Sequence, residues 1–294
     1  MGKITVRKAL DDYKSVHMPY RNFAERTRVE YQNDLEKLLR YLEQSGINYV
    51  NQVGLPIVEH YVAHLEQEGL ASPTRKRKVA SIRSFLSFLY QDGYIDVDIA
   101  KRVVPPFLEK KPPRILTQAE CDCIRKVCTG NVRDAAIIEL LLQTGIKLSE
   151  LIQLRLNDIV FDGGAGQLSF MRILSGRGKK ERIVPLNTKA SFALKTYLQE
   201  REISSNDILF LNRFGELLSK RGVQKMLRRY LKKAEIGRAS IRTLRHTFGT
   251  HHTVKGTDPK TIQDVMGLKD SRSTAVYQAL AKEIVARELQ ENAI

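Results

Sequence analysis

No tryptophan, only three cysteines and no hydrophobic run of the roughly 18 residues that a membrane span requires set the first limits on this 294-residue chain. The cysteines all fall within 121–128, an odd and clustered set that builds no disulfide framework and suits a reducing compartment. They also make a poor zinc site. Positions two apart on a helix face different sides, and neither a histidine nor a fourth cysteine stands nearby. His60 and His64 have i,i+4 spacing but lack the adjacent glutamate of a zinc protease, so they read as surface or packing residues. No GxxxxGK[ST] loop occurs, and Gly163-Gly164-Ala165-Gly166 lacks dinucleotide spacing, so no cofactor is expected. The polar opening MGKITVRKALDD carries no apolar leader, and a cytoplasmic location follows as an expectation.

Acidic residues are the other shortage. Thirty-three Asp and Glu face 49 Lys and Arg, a formal charge of +16. The excess is lopsided, with 17 basic against 14 acidic residues in 1–110 and 32 against 19 beyond. Such a field concentrates polyanions, and nucleic acid is the leading candidate partner. An anionic membrane surface is the rival, but the basic residues lie on several mixed segments instead of one juxtamembrane block. With 42% of residues apolar, the chain has enough side-chain mass to bury real cores.

Paired prolines at Pro105-Pro106 and Pro112-Pro113 stop helices and stiffen a linker, so a boundary is expected near 105–115. This divides the chain into a helical domain at 1–108, a linker at 109–116 and a second domain at 117–294. Upstream, Tyr31, Leu35, Leu38 and Leu42 recur at helical spacing, as do Ile82, Phe85, Leu86 and Leu89. With helices also expected at 3–14 and 55–68, the first domain is a four-helix unit. Ser72 is the expected N-cap of its last helix, with Pro73 at the first helical position. Arg75, Lys76, Arg77 and Lys78 follow in the first turns, either as a solvated face or as a helix start that grips phosphate.

Downstream, Thr117 and Glu120 form a capping box. Ala135–Leu142 reads as a buried helix ended by Thr144-Gly145, and Leu148–Leu154 as another. Leu168–Leu174 and Arg182–Val184 read as strands of a hairpin with the basic tip Ser175–Lys180. Helices return at about 188–201, 219–234, 240–254, 258–266 and 272–290. The fold class is mostly α in two domains, the second a mixed α/β domain with a small antiparallel sheet.

Four segments in order carry a resemblance: Thr144–Leu151 (TGIKLSEL), the hairpin ending Glu181–Leu186 (ERIVPL), Arg242–His251 (RTLRHTFGTH), and Met266-Gly267 followed ten residues later by Tyr277. Together they resemble the tyrosine recombinases of the phage-integrase family, and the N-terminal helices resemble that family's core-binding domain. The resemblance implies a site-specific DNA recombinase that cuts and rejoins duplex DNA through a covalent 3′-phosphotyrosine and a Holliday junction. A tyrosine nucleophile conserves the phosphodiester energy, so a second DNA end can attack the same linkage. Tyr277 matches the nucleophile and Arg245 the second arginine, which neutralises charge growing on the nonbridging oxygens. His246, next to it, is expected to support the site structurally. The implied partners are a double-stranded recombination site and a homo-tetramer across two sites, with no membrane and with room for an accessory DNA-bending protein.

Four positions depart from the pattern. Lys147 stands at the first arginine, a point charge where a planar fork would hold two phosphate oxygens. A natural variant and an engineered Arg→Lys change both fit. Arg177 stands at the hairpin lysine and is a poor proton donor, leaving Lys179 or Lys180 for that task. Arg242 replaces a His or Lys, and Leu268 replaces a His or Trp. DNA contacts are expected from Arg75 to Lys78, Lys179, Arg228 and Arg229. The second reading is a catalytically weakened relative that binds a DNA site as an accessory protein without cutting it.

Overall fold

The computed structural model describes residues 4–109, 111–161, 168–175, 180–202, 207–270 and 272–291. The chain divides into two compact units, Met1–Lys110 and Lys111–Ile294. Among the described residues, no helix is long and apolar enough to cross a membrane.

In the first unit, Thr5 caps α1 (Val6–Asp12), which runs through a π-helical turn, Tyr13–His17, into the short α2 (Met18–Tyr20). Then come α3 (Glu25–Gln44), α4 (Leu55–Gln67) and α5 (Ser72–Gln91). The apolar stripes predicted for α3 and α5 do face inward: Leu35, Leu38, Leu42, Ile82, Phe85 and Leu89 are buried. Tyr13 centres the aromatic part of this core, 5.4 Å from Phe85 and 5.3 Å from Phe88 between ring centroids, and donates to Ser84 Oγ at 2.7 Å.

One cap differs from expectation. Ala71, not Ser72, is the N-cap of α5, and no side chain caps that end. Ser72 already lies inside the helix, with Pro73 following it in the first turn. This suits proline, whose missing N–H is unused there.

The second unit opens with α6 (Gln118–Cys128), where Thr117 Oγ1 accepts from Glu120 N at 3.2 Å and Glu120 returns the bond to Thr117 N at 2.9 Å. Cys121 and Cys128 are buried on it and Cys123 is exposed. Next, α7 (Val132–Thr144) is capped by Asn131 and buried along Ala136–Leu142, where the charged Glu139 pairs with Arg125 at 2.7 Å among apolar neighbours. Gly145 ends it in the left-handed region, φ 58°.

Here α8 (Leu148–Leu151) is shorter than the predicted 148–154. Past Leu151 the backbone tightens into three-residue bonds, Gln153 N to Glu150 O at 3.0 Å and Leu154 N to Leu151 O at 3.4 Å, and the chain then pairs with a distant segment, Leu209 N donating to Leu154 O at 2.7 Å. A sheet follows: β1 (Ile159–Val160), β2 (Phe170–Ser175) and β3 (Lys180–Pro185), antiparallel in that order, with Met171 opposite Val184. Strand β1 was not anticipated, and β2 begins two residues later than predicted, leaving Leu168 exposed. The hairpin tip carrying Arg177 and Lys179 lies outside the described residues, as does the side chain of Lys180.

Five helices complete the unit: α9 (Thr188–Glu200), α10 (Lys220–Lys233), α11 (Ile241–Val254), α12 (Pro259–Met266) and α13 (Arg272–Glu291). Ser219, Ser240 and Asp258 cap three of them through side-chain oxygens. A main core packs around α7 and the sheet, and a satellite of Phe248, Ile262, Met266 and Tyr277 lies between α11, α12 and α13.

Candidate active site

Two glycine turns prepare the site. Gly145 ends α7 and Gly267 ends α12, both at positive φ, 58° and 62°. These turns bring the C-terminal carbonyls of both helices to one arginine. Arg245 Nη1 donates to Gly145 O, and Nη2 donates to Met266 O at 2.8 Å. Helix C-termini carry partial negative charge and orient a cation. Neither bond is to a carboxylate, so the full charge of Arg245 is left for a ligand. Burial lowers the Arg245 guanidinium from its ordinary value, the cost of holding that charge half-buried without a direct counter-ion.

The segment after Gly145 places Lys147 at the head of α8, where Glu150 Oε2 accepts from its N–H at 2.9 Å. Its ammonium donates to Gly267 O at 2.9 Å and reaches Glu150 Oε1 at 3.3 Å. Glu150 is itself buried and receives Arg182 through two bonds, Nη1 to Oε1 at 3.0 Å and Nη2 to Oε2 at 2.7 Å. Arg182 Nε donates to Val265 O at 2.9 Å, which ties β3 to α12. Burial alone would raise the Glu150 carboxyl, but the bonds from Arg182 and Lys147 outweigh it and hold the group below the usual carboxylate range.

Arg242, Arg245, His246 and Gly249 lie three and four apart on α11 and share a face. Tyr277, from α13, lies flat against Gly249: a Cβ built there would fall 2.8 Å from Cζ and 2.9 Å from both Cε atoms. Its ring centroid is 5.7 Å from that of His246. Arg242 Nε donates to His246 Nε2 at 3.2 Å, while His246 Nδ1 is buried without a partner among the described residues. Burial, then Arg242 and Arg245, push the imidazole down to about 4, so it is neutral near pH 7. Burial raises the Tyr277 hydroxyl, with Arg245 and Arg242 pulling it back in part.

These side chains open onto one cleft of about 720 Å³. Among the described residues that line it are four cations, Lys147, Arg228, Arg242 and Arg245, with His246, Tyr277 and no carboxylate. An anion is the ligand such a lining favours, and a phosphodiester is an anion that a tyrosine oxygen can attack.

Not every predicted DNA contact has a free charge. Lys78 needs correction: its side chain is 5% exposed and donates to the buried Asp34 at 2.9 Å, so it cannot lie on phosphate in this state. Arg77 also pairs with Asp34, and Arg75 with Glu66 at 2.8 Å. Lys76 is the exposed member of the run. Arg229 donates to Asp134 at 2.9 Å and covers the Tyr230 ring, whereas Arg228 faces the cleft. Glu150, Arg182, Gly249 and Gly267 lie in the segments that carried the resemblance, but sequence reasoning gave none of them a role. The position of Glu150 three residues after an N-cap was a local sign of its role, but nothing local marks Arg182 or Gly249.

Comparison with known proteins bears on both units. The model described as "Phage integrase family" matches residues 114–283, and "Phage integrase, N-terminal SAM-like domain" matches 10–93. The chain is 35% identical over 282 residues to tyrosine recombinase XerC of Pelotomaculum thermopropionicum, covering 90% of each protein. It is 32% identical over 289 residues to tyrosine recombinase XerD of Halalkalibacterium halodurans, covering 95% of each. Its fold is shared with a lambda integrase dimer bound to a COC′ core site, at TM-score 0.76 and 17% identity over 94% of this chain and 77% of that one. It is shared also with XerH site-specific recombinase bound to a difH substrate, at TM-score 0.72 and 22% identity over 91% of this chain and 80% of that one.

Proposed function

This chain belongs to the phage integrase family of tyrosine recombinases, and from that premise we propose that it cuts and rejoins duplex DNA with Tyr277 as its nucleophile. Site-specific DNA recombination is its function. The observation that carries the residue assignment is the cleft, where a tyrosine opens among four cations and no described carboxylate.

In the proposed reaction the scissile phosphate lies against Arg245, which helix C-terminal carbonyls hold in place before any ligand arrives. Arg242 and Lys147 complete the clamp. Charge that builds on the nonbridging oxygens meets donors already oriented, so little reorganisation is needed as the bond breaks. Tyr277 Oη bonds to phosphorus, the 5′ oxygen departs, and a 3′-phosphotyrosine holds the strand until another 5′ end attacks it. Lys147 must leave Gly267 O to reach the phosphate, and its single ammonium then stands where a guanidinium fork would give two parallel bonds. Lys179 or Lys180 is assigned as proton donor to the 5′ oxygen. Residues 1–108 form the DNA-clamping domain, 109–116 the linker and 117–294 the catalytic domain. Assembly is a homo-tetramer on two sites through a Holliday junction, in the cytoplasm.

The test begins with selection of a bound duplex from a randomised library. A nicked version of that duplex traps the intermediate, because the short 5′ fragment diffuses away. The wild-type chain is expected to give a covalent protein–DNA adduct. Tyr277→Phe is expected to give none while binding as well as wild type, since one hydroxyl is lost from a surface held by many phosphate contacts. Binding without adduct from the wild-type chain would refute the assignment.

A further inference from the structure

Tyr277 must lose a proton to attack phosphorus, and the cleft offers that proton few destinations. Lys147, Arg228, Arg242 and Arg245 are cations with no lone pair to accept it. His246 is the one titratable side chain with a nitrogen lone pair among the described lining residues. Its ring lies beside the Tyr277 ring, with centroids 5.7 Å apart. Resting on the recombinase reading above, we propose that His246 is the base that deprotonates Tyr277, and that Arg242 covers it until a phosphate draws Arg242 away.

The hydrogen bonds of the free protein supply the gate. Arg242 Nε donates to His246 Nε2 at 3.2 Å, occupying the lone pair and placing the ring proton on Nδ1. Among the described residues Nδ1 is buried with no partner, so no described carboxylate or carbonyl anchors that tautomer. Only Arg242 sets it. Arg242 is exposed and lines the same cleft, one helical turn before His246, so a phosphate diester in the cleft competes directly for its guanidinium. Once Arg242 turns to the phosphate, Nε2 is free.

The same event makes the imidazole a better base. Apart from burial, the groups that depress its proton affinity are Arg242 and Arg245. A bound phosphate offsets both charges and moves the imidazole back toward its ordinary range, where a base at neutral pH is effective. Among the described residues, the charged and titratable groups around it are Arg242 and Arg245 on its own helix, Tyr277 on α13, Lys147 at the head of α8 and Arg228 on α10. In the step, the Tyr277 proton passes to His246 Nε2 as an Oη electron pair bonds to phosphorus. The bond from phosphorus to the 5′ oxygen breaks, its electron pair stays on that oxygen, and the lysine assigned above as donor protonates it. On rejoining, the imidazolium returns its proton to Tyr277. The base therefore acts only where substrate is bound.

The experiment measures single-turnover adduct formation by the full chain on the selected nicked duplex across about pH 5 to 9, with affinity measured in parallel. The wild-type rate is expected to rise with pH and level off at an imidazole titration. His246→Gln keeps an acceptor for Arg242 and cannot take a proton. It is expected to cut about 10²-fold or more slowly, bind normally and lose the levelling-off. His246→Ala is expected to recover part of its rate when imidazole is added. A glutamine variant that keeps the wild-type rate or its titration overturns the assignment. An alanine variant that is slow, keeps the titration and ignores imidazole shows a packing role alone and also overturns it. Absence of adduct from the wild-type chain would instead remove the recombinase reading, and this assignment with it.

Discussion

Gly249→Ala adds one methyl group in the middle of α11, directly against the ring of Tyr277. The new Cβ would lie 2.8 Å from Tyr277 Cζ and 2.9 Å from Cε1 and Cε2, where ordinary contact begins at 3.4 Å. The tyrosine ring must therefore retreat by about 0.6 Å or more, and all three clashing atoms belong to the ring end that carries the nucleophile. Misplacement approaching 1 Å costs about 10²-fold in rate, or about 2.7 kcal/mol in the barrier. Stability responds less. Overpacking costs about 1–3 kcal/mol, and alanine in place of glycine returns about 1 kcal/mol of helix propensity, so the net loss should be about 0–2 kcal/mol. The expected variant is folded, binds the selected duplex and forms adduct about 10²-fold more slowly. Urea denaturation, gel shift and single-turnover cleavage separate these quantities. In a Tyr277→Ala background the clash partner is gone, and the stability penalty of Gly249→Ala should vanish or reverse. A folded Gly249→Ala protein that cuts within about three-fold of wild type would refute the reasoning, because the ring would then have another productive position.

Lys147→Arg should raise single-turnover cleavage about ten-fold, worth about 1.4 kcal/mol, with little change in affinity, because the second parallel bond gains most as charge builds on phosphate. An unchanged or slower rate would mean that Lys147 suits an altered site. Glu150→Ala leaves Arg182 buried without its carboxylate and should destabilise the second unit by about 3–5 kcal/mol in thermal or urea unfolding. The Glu150 carboxyl sits below its ordinary range in the folded state, so its contribution is complete at neutral pH and lost as pH falls through that depressed value. The wild-type advantage over Glu150→Gln should therefore shrink in acid. Lys76→Ala should weaken DNA binding and lower the log–log salt slope by about one, whereas Lys78→Ala should lower the stability of the first unit instead, because Lys78 is committed to Asp34. Equal loss of affinity in the two variants would contradict the placement of Lys78.

The sequence by itself determined whatever repeats at short range. Apolar periodicity marked α3, α5 and α7, and Thr117 with Glu120 announced the start of α6 through a capping box closed within three residues. Gly145 announced the end of α7. The clustering of Arg242, Arg245 and His246 on one helix face likewise follows from the 3.6-residue period. The segments that carry the family resemblance were legible for the same reason, since each is a contiguous run.

Tertiary structure decided what depends on which distant groups meet. Four adjacent cations, Arg75 to Lys78, look alike in the chain, yet helical geometry sends Lys78 inward to Asp34, 44 residues away, and leaves Lys76 in solvent. After the short helix α8 the chain turns to pair with a segment over fifty residues away, Leu209 N donating to Leu154 O and Leu156 N to Asp207 O. Arg182 reads as one more basic residue of a hairpin, but pairing in the sheet turns it with Val184 to the inner face, where it holds the buried Glu150. Gly249 looks like any helical glycine until Tyr277 lies across it. Local periodicity specifies which face a residue occupies, but burial and charge pairing depend on what the rest of the chain brings to that face.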